Sequence, residues 1–188
     1  MGKIMATAVR AGKIRSNPCT GVKLPKIEYT EMRFLTPSEV ETLAQSIDER
    51  YKAFVLVAAY GGLRVGELAG LRRSRVDTLN AKVAISEIVV EVDGQLTYGQ
   101  PKTRAGRRSV ALPASVMEAV VDHMATFTPA DPDAYVFQAP DGGPIRVPLW
   151  RQRFWRTAVI KAGLVPLRPH DLRHTAVALW IKTGANTS

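Results

Sequence analysis

Gly61-Gly62-Leu63-Arg64-Val65-Gly66-Glu67-Leu68 is the stretch on which the fold of this chain turns. It closes an apolar helical run, Ala53 to Tyr60, and opens a further helical segment from Arg64 to Leu71. Glycines end helices because they take left-handed backbone conformations without a steric penalty. An arginine directly after them stands at the start of a helical turn, where free N–H groups add to its positive field. Glu67, one turn on, is placed to hold that guanidinium or a neighbouring base. Alone, the pair also fits an ordinary surface salt bridge, which contributes little.

Towards the N-terminus, Thr36-Pro37-Ser38-Glu39 forms a capping box, with Pro37 at the first helical position. Val40, Leu43, Ile47 and Tyr51 follow as one apolar stripe. Further upstream, Ala6 to Ile14 fits the last turns of a helix that Asn17-Pro18 breaks, followed by a basic connector. Residues 1–28 therefore read as a helix end and linker, and residues 29–188 as the compact domain.

Towards the C-terminus comes a β section. Val83-Ile85 and Ile88-Val90-Val92 alternate on either side of Ser86-Glu87, which predicts a bulge or slip there. Asp93-Gly94 is a two-residue hairpin signal. The next strand runs to Gln100, and a third, Arg108 to Leu112, ends at Pro113. Helices are expected over Ala114 to Ala125, Pro148 to Ala162 with Gly163 as its stop, and Pro169 to Thr183 with Gly184 as its stop. The class is α+β, mainly helical with a small three-stranded antiparallel sheet. Trp150, Trp155 and Trp180 read as core aromatics rather than base-stacking platforms.

The last helix opens with Arg168-Pro169-His170-Asp171-Leu172-Arg173-His174-Thr175. Residues three apart share a helix face, so His170 and Arg173 stand together, with Asp171 and His174 on other faces and Leu172, Ala176 and Leu179 inward. The imidazole can move a proton near neutral pH, and the guanidinium offers a fixed fork suited to phosphate. An Arg-His-Gly signature of histidine phosphatases is not met, since it needs a glycine and a strand end near the N-terminus. Lys102, in the loop between the second and third strands, fits a solvated loop lysine when taken alone. Thr103, Arg104, Gly106 and Arg107 around it fit a finger that follows phosphates.

The charge balance agrees. Lys and Arg number 26 against 17 Asp and Glu, a net +9 with a pI near 10.0. Such an excess points to a polyanion, nucleic acid first and an anionic membrane surface second. The basic residues cluster at Arg72, Arg73 and Arg75, at Arg104, Arg107 and Arg108, and from Arg151 to Arg156. Short charge runs are commonly solvated surface, but these flank the candidate site residues and read as DNA-facing. A single cysteine, Cys19, excludes an internal disulfide and fits a reducing cytoplasmic setting. No signal peptide is apparent, and the longest apolar stretch, Phe54 to Leu63, is too short to span a bilayer.

Taken together, these segments resemble the tyrosine recombinase (phage integrase) family. Gly62-Leu63-Arg64-Val65-Gly66-Glu67-Leu68 is similar to its first arginine motif, and Lys102 before Thr103 to its β-hairpin lysine. His170-Asp171-Leu172-Arg173-His174-Thr175 is similar to its His-x-x-Arg motif. The resemblance runs from about Met32 to Ser188, and Ala8 to Pro25 looks like the last helix and linker of the family's core-binding domain. It implies double-stranded DNA as partner, no cofactor and no metal. A tyrosine attacks a DNA phosphate, leaving a 3′-phosphotyrosine and a free 5′-hydroxyl. It assigns phosphate stabilisation to Arg64 and Arg173, protonation of the departing 5′-oxygen to Lys102, phosphate contact and proton movement to His170, and a buttress to Glu67.

One departure stands out. The family pattern continues with a Leu-Gly-His segment and then the nucleophile, whereas Tyr29, Tyr51, Tyr60, Tyr98 and Tyr135 all precede the final motif. This chain is therefore expected to bind DNA without cleaving it alone, and to be a monomer off DNA where the whole protein would be a tetramer on it. A catalytically silent DNA-binding module and a type IB topoisomerase-like enzyme remain as alternatives.

Overall fold

A computed structural model of the chain describes residues 1–22, 33–101 and 106–182. Lys102, Thr103 and Arg104 lie outside the described residues, as does Tyr29. The chain divides into two compact units, Met1–Glu31 and Met32–Ser188. In the first, helix α1 (Gly2–Arg10) closes with a basic last turn, and the Asn17 side chain reaches back to the Gly2 carbonyl at 3.3 Å.

The second unit begins with α2 (Pro37–Ser46), whose capping box is formed as expected. The Thr36 hydroxyl accepts from the Glu39 N–H at 3.2 Å, and the Glu39 carboxylate accepts from the Thr36 N–H at 2.8 Å. Helix α3 (Lys52–Gly61) is the central element and is buried along nearly its whole length, from Ala53 to Ala59. It packs against α2, against α5 (Ala114–Phe127) and against α8 (Asp171–Lys182). A helix apolar on all sides needs such enclosure. Its end wall is an aromatic cluster in which Phe54 meets Phe137 at 5.2 Å and Trp150 at 4.8 Å. Trp150 and Trp155 are both buried, as a core assignment requires. Trp180 is only half-buried, and its indole N–H donates to the Tyr60 carbonyl at 2.9 Å.

The β section is built differently from one continuous sheet. Strands β1 (Val76–Asp77), β2 (Lys82–Ile85) and β5 (Arg108–Ala111) form a three-stranded antiparallel sheet in the order β1-β2-β5. Strands β3 (Ile88–Val92) and β4 (Gln95–Gly99) form a separate hairpin. The break falls at Ser86-Glu87, so the irregularity there is a complete change of pairing partner and not a bulge within one strand. Gly70 lies against this break: a Cβ there would sit 2.8 Å from the Glu87 carbonyl oxygen, so the close approach needs a glycine. Asp93 and Gly94 take φ of 50° and 77°, the two positive values of a type I′ turn.

The segment expected as one helix from Pro148 to Ala162 is α6 (Val147–Trp150), a π-helical turn (Arg151–Trp155) and α7 (Arg156–Lys161) in succession. Gly163 follows with φ of 69°, the left-handed stop expected of it. Among the described residues no helix is long and apolar enough to cross a membrane.

Candidate active site

The short helix α4 (Val65–Ala69) carries Glu67 inward and leaves Arg64 at its entrance. Glu67 is fully buried, a costly place for a carboxylate unless its charge is matched. Four donors match it. Its Oε2 accepts from the Arg64 backbone N–H at 2.8 Å and from Arg108 at 2.9 Å. Its Oε1 accepts from the Arg64 and Arg108 guanidinium groups, each at 3.1 Å. Burial pushes the Glu67 carboxyl up, but the hydrogen bonds from Arg108 and Arg64 outweigh it, and the net displacement is below the ordinary carboxyl value. Arg64 keeps 56% of its side chain exposed. Its backbone N–H and one guanidinium nitrogen are held by Glu67, and more than half of the side chain stays open to solvent.

Helix α8 brings the second half. Arg173 donates to the Gly62 carbonyl at 2.6 Å, which ties α8 to the glycine turn before Arg64. Gly62 has φ of 63°, and a Cβ there would stand 3.2 Å from Ala176 and 3.1 Å from Trp180. The glycine thus serves both the turn and the approach of the helix. Thr175, fully buried, accepts from the Leu35 N–H at 3.1 Å and anchors the next turn. Arg173 loses some basicity through burial and then through the positive charges of Arg64 and Arg108, offset in part by Glu67.

His170 lies just before α8, and its carbonyl accepts from the Arg173 N–H at 3.1 Å. The side chain is exposed, and its ring stands edge-on to that of His174, with centroids 4.9 Å apart. This corrects the expectation that His174 occupies a separate face: with His170 at the helix entrance, position 174 comes round beneath it. The His170 pKa is lowered by desolvation first, then by the charges of His174 and Arg173, with a smaller effect from Arg64. Arg64, Arg173 and His170 are therefore within electrostatic reach of one another, although the chain separates the first from the others by the whole β section. Lys102 lies outside the described residues.

The expected DNA-facing arginines divide into two groups. Arg72 is held by the protein itself. It donates to Glu87 at 3.1 and 3.0 Å, to the Asp133 carbonyl at 2.7 Å and to the Tyr135 hydroxyl at 2.7 Å, and its guanidinium lies 3.7 Å from the Tyr135 ring centroid. Arg73 reaches the Met124 and Pro129 carbonyls, and Arg108 is committed to Glu67. Arg75 and Arg107 are exposed; Arg107 contacts the Gln100 side chain. Arg104 lies outside the described residues.

A groove of about 1220 Å³ opens between the two sheets, with Arg75, Arg107, Tyr98 and Gln100 among its walls. Sequence reasoning passes over Tyr135, which lines the same groove. Burial first, and then its hydrogen bond to Glu87, push its phenol up to about 12. Neither the Tyr135–Glu87 nor the Arg108–Glu67 pairing carries a local signal, because the partners lie far apart in the sequence. Among the described residues no three His, Cys, Asp or Glu side chains gather where they could hold a metal ion.

The sequence profile of the phage integrase family matches residues 33–188. The prophage phiRv2 integrase of Mycobacterium tuberculosis is 32% identical over 185 residues, which is 97% of this chain and 49% of that protein. The integrase of Mycobacterium phage L5 is 29% identical over 188 residues, 98% of this chain and 50% of that protein. The chain thus spans about half the length of the curated relatives it matches.

Among solved structures, the Tn1549 transposon integrase in complex with a circular intermediate DNA superposes with a TM-score of 0.81. It is 22% identical, over 98% of this chain and 65% of that one. A lambda integrase dimer bound to a COC′ core site gives 0.65 at 17% identity, over 97% of this chain and 64% of that one. These two likenesses bear on the fold. With the glycine turn, the His-x-x-Arg helix and their shared cationic face in place, the profile match over most of the chain shows that it belongs to the phage integrase family.

Proposed function

We propose that this chain is the DNA-binding and phosphate-activating part of a site-specific recombinase, a metal-free integrase acting on double-stranded DNA in the cytoplasm. One observation carries the reading. Arg64 and Arg173 come from distant parts of the sequence, yet Arg173 bonds the Gly62 carbonyl two residues before Arg64, both act on the charge of His170, and the Arg64 side chain stays 56% exposed. Two positive forks on one face suit the charge that builds on the non-bridging oxygens of a phosphate under attack. The Tn1549 and lambda integrases, similar in fold, have been solved on DNA, which supports the choice of polyanion.

In this reading a tyrosine hydroxyl attacks the phosphorus and the bond to the 5′-oxygen breaks. Lys102 gives the departing oxygen its proton, a role resting on sequence likeness. His170 contacts the phosphate and assists the proton leaving the tyrosine. Desolvation and the neighbouring positive charges lower its pKa, which favours the neutral imidazole that can accept a proton. Arg75 and Arg107 line the groove proposed for DNA, with Arg104 close to Arg107 in sequence, and the turns from Arg151 to Arg156 add a second basic face.

In this reading the described tyrosines are not the nucleophile. Tyr51 is buried, and burial pushes its phenol up to about 12. Tyr135 is held between Arg72 and Glu87. Tyr60 is half-buried at the end of α3, and Tyr98 lies on the hairpin. On this reading these four tyrosines form no covalent adduct with DNA; we further propose that residues 1–188 bind DNA as a monomer and that the whole protein works as a tetramer on DNA. Residues 1–28 would be the end of a core-binding domain and its linker.

The test is a nicked suicide substrate. The whole protein should trap a covalent 3′-adduct that Arg173→Ala abolishes while DNA binding persists, and the 188-residue chain should trap none. Adduct formed by the chain alone would refute the assignment of the nucleophile, and an Arg173→Ala protein that cleaves normally would refute the active site. Relaxation of supercoiled DNA without strand exchange between sites would favour the topoisomerase alternative.

A further inference from the structure

We propose that Arg108 is a positioning residue whose task is to occupy Glu67, so that the Arg64 guanidinium stays turned outward for a phosphate. The inference rests on the reading of Arg64 as a phosphate contact. It replaces the simpler idea that Arg108 touches DNA.

The argument is one of charge and geometry. Glu67 is fully buried, and a buried carboxylate takes whatever positive partner it can reach. Arg108 meets it with both terminal nitrogens, one on each oxygen, at 2.9 and 3.1 Å. That fork-on-carboxylate pairing is the stronger and more directional kind of ion pair. Arg64 gives it a single guanidinium contact, at 3.1 Å, while its backbone N–H takes the other oxygen at 2.8 Å. The side chains divide accordingly, with Arg108 28% exposed and Arg64 56%.

The fold makes this division possible. Arg108 opens β5 opposite Ile85 of β2, and this pairing places its side chain over α4. Without Arg108, Arg64 would be the one ion-pair partner left to Glu67 among the described residues. Pairing would then draw the Arg64 fork inward and away from solvent. Arg173 feels both arginines and the carboxylate, so the same change would alter the charge around it. Arg108 also lies just beyond Lys102 in the chain, so one ion pair ties the arginine motif to the strand that follows the lysine.

The experiment is a double-mutant cycle on DNA affinity, using this chain and a short random-sequence duplex across a range of salt concentrations. Each phosphate contact contributes about 0.9 to the slope of log K against log salt. Arg64→Ala should lower that slope by about one contact. Arg108→Gln should lower it by the same single contact, and the double variant by no more than either. Glu67→Gln combined with Arg108→Gln removes the carboxylate that captures Arg64, and should restore the slope towards that of the parent chain.

Additive losses, with two contacts missing in the Arg64→Ala/Arg108→Gln protein, would overturn the proposal and make Arg108 a phosphate contact in its own right. So would a Glu67→Gln/Arg108→Gln protein no better than Arg108→Gln. If Arg108→Gln alone fails to fold, the Glu67→Gln/Arg108→Gln pair, which leaves no buried charge, carries the cycle with and without Arg64→Ala. There Arg64 should count in full. An Arg64→Ala protein that binds DNA like its parent would sink the phosphate reading of Arg64, and the role of Arg108 with it.

Discussion

Glu67 joins the start of α4 to β5 through one buried carboxylate. Its environment combines no solvent with two guanidinium groups, so the ionised form is worth more folded than unfolded. Removing one member of a buried ion pair leaves the others unmatched, and Glu67→Ala should destabilise the domain by about 3 kcal/mol. Both arginines retain some solvent, which keeps the figure near the low end for such pairs.

The pH dependence follows from the direction of the shift. The folded pKa is depressed below the ordinary 4.5, so the unfolded chain takes up a proton first as pH falls. The stabilisation is therefore complete above pH 4.5 and drains away as pH falls through the folded value. Urea unfolding of the parent and of Glu67→Gln should show a gap that is constant near neutrality and narrows in acid. A constant gap at all pH values would mean that Glu67 acts through packing rather than charge.

At the scale of elements, the contact between the glycine turn and α8 is what makes two distant motifs into one site. Gly62 holds φ of 63°, and its missing Cβ leaves room for Ala176 and Trp180. Gly62→Ala meets both penalties. A left-handed alanine costs about 1 kcal/mol, and contacts of 3.1 and 3.2 Å force α8 to give way. A loss of about 2 kcal/mol in urea unfolding is expected, with Arg173 displaced from the Gly62 carbonyl. An unchanged midpoint would show that α8 can shift without strain.

Much at this scale is legible in the sequence, because caps and stops act locally. Thr36 to Glu39, Gly62, Asp93-Gly94 and Gly163 mark their boundaries with the residue types that their backbone angles require. The partition of the strands is not legible, because alternation looks the same whichever strand is the neighbour. The fold itself places β2 beside β5, with Gly70 close against the break at Glu87. The site divides in the same way. Arg64, Glu67, His170 and Arg173 sit in short motifs, whereas the Glu67–Arg108 and Arg72–Glu87–Tyr135 contacts depend on tertiary placement alone.

For the whole molecule the net +9 is a statement about long-range attraction, and it does not say which charges meet a phosphate. Burial and pairing say more. Arg72 is enclosed by Glu87, Tyr135 and the Asp133 carbonyl, so its charge is spent within the protein. Arg107 lines the same groove but is exposed, with Gln100 as its neighbour and no ion pair among the described residues.

The two variants should therefore separate cleanly. Arg107→Ala should lower the salt slope of DNA binding by about 0.9 and leave stability within about 0.5 kcal/mol. Arg72→Ala should leave the slope unchanged and destabilise the domain by about 2 kcal/mol, since it strips hydrogen bonds and a cation–π contact from half-buried partners. Salt titrations and urea unfolding on the same protein samples measure both quantities. If Arg72→Ala instead lowers the slope by a full contact at unchanged stability, the groove meets DNA through its enclosed arginine. The division of the basic surface by internal pairing would then be wrong.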